Sequence, residues 1–143
     1  MRTWLLAAGV LAALGMIGFV AMKMMTPPPE GLDLARAKTT EQGLYDVAIA
    51  PVAGPVEQGP LHAWIATVTA PDGEPVTDAT LSVDGGMPQH GHGLPTAPQA
   101  SAHLGEGRYR IEGVRFNMGG WWVLKIAVST PAGDDVAVFN LSL

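Results

Sequence analysis

The chain of 143 residues has no cysteine. That excludes disulfides, thiolate metal sites, a cysteine nucleophile and an anchor built on a lipid-modified cysteine. Charge is also scarce, at 15% of residues, and what there is leans acidic. From Glu30 onward there are 13 acidic and 6 basic side chains, a net charge of −7. Nucleic acid calls for a basic face, so it is not an expected partner. No nucleophile motif and no lysine-bearing phosphate loop is present, so no enzymatic activity is expected. Methionine is scarce where it matters. Five of the seven are Met1 and the residues in or beside an N-terminal apolar run, which leaves only Met87 and Met118.

Glycine (18) and proline (12) are abundant, a composition that suits an all-β chain with many turns rather than a helical bundle. Residues 4–22 carry no charge. As a helix they would reach roughly 28 Å, close to the hydrocarbon thickness of a bilayer. Trp4 and Lys23 suit the two interfaces. No small-residue cleavage site precedes the prolines, so residues 1–25 read as an uncleaved, single-pass signal anchor in the inner (cytoplasmic) membrane. Lys23, Arg36 and Lys38 outnumber Arg2 and the N-terminal amine, a balance that runs against export. The short, signal-like N-tail and the thiol-free domain favour it, and a periplasmic C-terminal domain is the expectation. Residues 26–40, opening on Pro27-Pro28-Pro29, form a stiff linker.

Residues 41–143 show alternating apolar patterns punctuated by turns. Strands are expected at 43–51, 60–70, 79–84, 100–104, 108–116, 121–130 and 136–143. About seven short strands predict an immunoglobulin-like β-sandwich.

The segment Met87-Pro88-Gln89-His90-Gly91-His92-Gly93 holds two of the four histidines and one of the two remaining methionines. His90 and His92, two apart, share a face of extended chain at about 7 Å. Gly91 and Gly93 permit unusual backbone angles. Met87 adds a thioether nearby, and Met118, in Asn117-Met118-Gly119-Gly120-Trp121-Trp122, adds one from a second glycine-rich turn. Imidazole with thioether is a soft, neutral ligand set that suits Cu(I) rather than calcium, magnesium or zinc. His62 and His103 lie in alternating strands and read as structural. Trp121 and Trp122 point to opposite faces if extended. One is expected in the core, and the other is placed to shield the ion from water.

Three patterns together, Met87-Pro-x-His90-x-His92-Gly, Gly107-x-Tyr109 and Phe116-x-Met118-x-Gly120-x-Trp122, resemble the YtkA-like domain family, over about residues 40–143. The resemblance implies a small bacterial β-sandwich behind one membrane helix or signal peptide. It also implies a setting of exported copper handling and cytochrome-oxidase assembly. His90, His92, Met87 and Met118 are the positions that match the motifs. The expected function is therefore a membrane-anchored Cu(I) chaperone or buffer with a protein partner that receives or donates copper. The alternative is a metal-free, membrane-tethered scaffold module for a membrane enzyme complex.

Overall fold

Period-two alternation dictates which side chains turn inward, and the long strands follow it closely. Val47 and Ile49, then Trp64, Ala66 and Val68, then Trp122, Leu124, Ile126 and Val128, then Ala137, Phe139 and Leu141 are all buried. Their neighbours in sequence face outward. The computed structural model describes residues 28–143, so the membrane anchor expected over residues 1–25 lies outside the described residues.

Nine strands form: β1 (Ala37–Thr39), β2 (Asp46–Pro51), β3 (Leu61–Thr69), β4 (Thr80–Met87), β5 (His92–Gly93), β6 (Gln99–His103), β7 (Arg108–Arg115), β8 (Trp121–Thr130) and β9 (Gly133–Ser142). The seven expected strands are β2, β3, β4, β6, β7, β8 and β9. Two short ones are additional. β1 lies within the stretch read as linker, and β5 within the stretch read as loop. Every pairing is antiparallel, and the order is β1-β2-β3-β7-β6-β4-β8-β9, with β5 on the side of β4. The result is one continuous sheet, not two separate ones. A four-strand wall and a three-strand wall are joined through β6, and the sheet curls until it is nearly a barrel. The join is slender, with Ser82 opposite Gln99 as the register pair between β4 and β6.

A bulge keeps β7 in register with the core. Between His62–Val114 and Trp64–Ile111, two residues of β7 oppose one of β3. Gly113 takes a positive φ of 82° there. The extra residue re-aims the strand, so that Val114 and Phe116 stay inside after Tyr109 and Ile111.

The outer edges are clipped together by hydrogen bonds across 88–95 positions of chain. The Glu41 amide donates to the Val136 carbonyl at 2.9 Å. The buried Asp135 carboxylate accepts from the amides of Gln42 (3.0 Å), Leu44 (3.2 Å) and Val136 (2.8 Å). The Tyr45 hydroxyl donates to the Gly133 carbonyl at 2.7 Å. Burial alone would raise the Asp135 pKa. Hydrogen bonds from the Thr40 hydroxyl and the backbone of Val136, Leu44 and Gln42 outweigh it and hold the pKa at about 2, against an ordinary 3.8. A carboxylate whose pKa is depressed by folding stabilises the fold above its unfolded pKa, and that stabilisation is lost as the proton returns. The urea midpoint should accordingly fall between about pH 4 and about pH 2, and fall less steeply in Asp135→Asn. Equal slopes in the two proteins would show that this carboxylate does not govern acid unfolding.

Candidate metal centre

The ends of β2, β4, β7 and β9 and the starts of β3, β5 and β8 gather at one end of the barrel. The β4–β5 connection turns there. The amides of His90 (3.1 Å) and Gly91 (2.9 Å) both donate to the Met87 carbonyl. Gly91 supplies the left-handed residue at φ 67°. Met87 then pairs with His92 and Gly86 with Gly93.

This tight hairpin brings the two imidazoles together, with ring centroids 5.9 Å apart. His90 sits in the turn and His92 opens β5, so the approach comes from the turn and not from two residues of one extended strand. The His92 Nδ1–H donates to the Gly93 carbonyl at 2.9 Å. That bond sets the tautomer and leaves Nε2 with a free lone pair, the arrangement common to metal-ligating histidine. An ion about 2 Å from a ring nitrogen lies about 3 Å from the ring centroid, so two rings sharing one ion stand roughly 5–6 Å apart. The observed separation fits.

The methionines are placed differently. Directly opposed residues in an antiparallel pair share a face. Met87 stands opposite His92 in the hairpin, but its side chain is packed into the core, where it is 1% exposed, while His92 stays exposed. Its Cε lies 3.3 Å from the point a Cβ on Gly120 would occupy. Met118 is half-buried against the core, and its carbonyl accepts the Trp122 indole N–H at 3.0 Å. Among the described residues, no three His, Asp or Glu side chains converge on one point.

The tryptophans divide the expected labour otherwise. Trp122 is fully buried, and its ring also meets His92 edge-on at 5.7 Å. Trp121 faces outward and donates from its indole nitrogen to Asn140 Oδ1 at 3.0 Å. One ring is thus both core and platform. Phe116 continues the row, 5.2 Å from Trp122, and His62 lies 6.3 Å beyond it. His62 Nε2 donates to the Glu57 carbonyl at 2.9 Å. His103 packs on Tyr109 at 4.7 Å, away from the pair. Asp84 accepts from the Gly85 amide at 2.7 Å and is not drawn to His90.

Sequence reasoning missed the close backbone approach behind the hairpin. A Cβ on Gly86 would lie 2.3 Å from the His92 carbonyl oxygen, and one on Gly85 would lie 2.3 Å from that of Val123. Consecutive glycines inside a strand pattern are the signal that could have found it. Together with Gly93 they leave a shallow depression of about 390 Å³ beside His92, with Val123 and Lys125 on its other side.

A family model described as YtkA-like matches residues 39–127, more than half of the chain. The match runs through the His90–His92 hairpin and the turn before Trp121. No curated protein and no solved structure shows significant similarity to the chain.

Proposed function

The chain belongs to the YtkA-like family, and from that premise we propose that it is a membrane-anchored, exported copper-binding protein that delivers or buffers Cu(I). One observation carries the reading: two imidazoles 5.9 Å apart, one with its Nδ1 proton committed to a carbonyl, at one end of the nearly closed barrel. His90 and His92 supply the primary nitrogen ligands. Met118 and Met87 are the thioethers nearest the turn and complete a soft set. Open coordination suits transfer, because a recipient's ligands can replace these one at a time. The net charge of −7 over residues 28–143 steers the domain toward a basic partner.

The direct test is a Cu(I) titration of the full chain against a competing chromophoric chelator. One tight equivalent supports the reading. No binding above background sinks it and returns the hairpin to the scaffold role, in which the His90→Ala/His92→Ala variant keeps its protein partner. The thioethers are tested separately. Met118→Leu and Met87→Leu nearly conserve volume and should each cost less than about 1.5 kcal/mol in stability. A participating methionine should show as lost sulfur scattering in the copper X-ray absorption spectrum. An unchanged spectrum in both variants would leave a nitrogen-only site.

A further inference from the structure

The direction in which the chain enters the barrel sets which end faces the bilayer. β1 pairs antiparallel with β2, with Ala37 opposite Ala48 and Thr39 opposite Asp46. β2 runs toward the end that carries His90 and His92, so β1 begins at that end. The residues before it are tied down there. The Asn140 side chain, near the finish of β9, donates to the Asp33 carbonyl at 3.0 Å. The Ile49 amide donates to the Arg36 carbonyl at 2.8 Å. The Arg36 guanidinium lies 5.5 Å over the Trp64 ring. If the apolar run over residues 4–22 is the anchor, ten residues separate it from Asp33, and they span at most about 33–36 Å. The ten residues of β8 run roughly 30 Å along the barrel. Turning the far end to the membrane would use up the whole connector in running the length of the domain.

Both ends expose some apolar surface, Leu44 and Leu104 at the far end, but the most exposed apolar side chain is at the histidine end. Leu61 is 65% exposed and Val52 45% exposed, both on the β2–β3 side of that end. Exposed leucine and valine at the same end as the histidines suit a protein surface. The acidic balance of the domain disfavours contact with anionic lipid headgroups.

We propose that the His90–His92 end of the barrel faces the bilayer, so that its partner is a membrane-embedded protein whose own metal ligands lie near the bilayer surface. The orientation rests on the anchor reading of residues 1–25, and the cargo rests on the copper reading. Because the chain has no cysteine, an introduced one is its only thiol label. The full chain is reconstituted in vesicles with an acceptor dye on the lipid headgroups, and a donor is attached at Leu61→Cys or at Ala132→Cys. Ala132 is exposed in the β8–β9 turn at the opposite end. Transfer at least twofold more efficient from position 61 supports the proposal. Equal transfer, or more from position 132, overturns the orientation. Absence of transfer from both, with the protein unincorporated, overturns the anchor reading and the proposal with it. Quenching of the position-61 label by acyl-chain nitroxides would place the end in lipid and overturn the protein partner. Neither label touches the histidines and no metal is added, so a failed copper titration leaves this result standing.

Discussion

Alanine at both His90 and His92 is expected to weaken Cu(I) binding more than about a hundredfold while leaving the fold intact. Loss of outer-shell partners alone costs about 10–100-fold in metal affinity, and here two direct ligands are removed. The fold should survive because neither ring is part of the buried core. His92 is exposed and His90 lies in a turn held by backbone bonds to the Met87 carbonyl, which alanine keeps. The single variants separate the roles. His92→Ala removes the ring whose tautomer is fixed and whose edge rests on Trp122, so it should do more damage than His90→Ala. The measurement is chelator competition, with an unchanged thermal midpoint as the control for folding. Full affinity in the double variant would remove these histidines from the site.

The second large effect is a contrast between neighbours. Gly85→Ala should cost about 3 kcal/mol or more, a fall of roughly 10 °C or more in thermal midpoint. Its Cβ would meet the Val123 carbonyl oxygen at 2.3 Å, and that oxygen belongs to β8. β8 pairs along its whole length with β9 and along seven positions with β4, so neither partner can give way. Gly86→Ala meets an equal obstruction, but from the His92 carbonyl. β5 is two residues long and can peel from β4. Peeling limits the loss of stability and instead carries His92 away from His90 and Trp122. Gly86→Ala should therefore melt within a few degrees of the parent and bind Cu(I) poorly. The reverse pattern, with Gly86→Ala unfolded and Gly85→Ala mild, would contradict the assignment of β5 as the pliable strand.

The strands were legible because alternation is enforced by burial: a residue displaced by one would put Trp122, Leu124 and Ile126 into water. What escaped the sequence was whatever depends on a partner distant in the chain. Ala37-Lys38-Thr39 has no pattern of its own and becomes a strand because the edge of β2 is available to it. The bulge at Glu112–Gly113 is invisible until β3 lies alongside. Asp135 reads as one more acidic turn residue, although it gathers three backbone amides. The paired histidines were legible as a motif, but their mode of approach was not. Extended geometry suggested neighbours on one strand, whereas the hairpin folds His90 back toward His92. The burial of Met87 was likewise hidden, since it follows from the pairing with β5 and from the missing side chain of Gly120.

The clip between Asp135 and the amides of Gln42 and Leu44 joins positions 93 and 91 residues apart. In a chain made from its N-terminus, the first wall of the barrel must wait for almost the last strand before the turn at its outer edge is clipped. Contacts of such separation form late and slowly, after the local hairpins. Until β9 arrives, β8 presents an unpaired row of amides and carbonyls to any strand that drifts by, and the turn after β1 lacks the partner that clips it. The ten C-terminal residues of β9 thus act as the closing stave of the barrel. A chain that stops before Gly133 would be an open, self-associating sheet rather than a shorter version of the same domain.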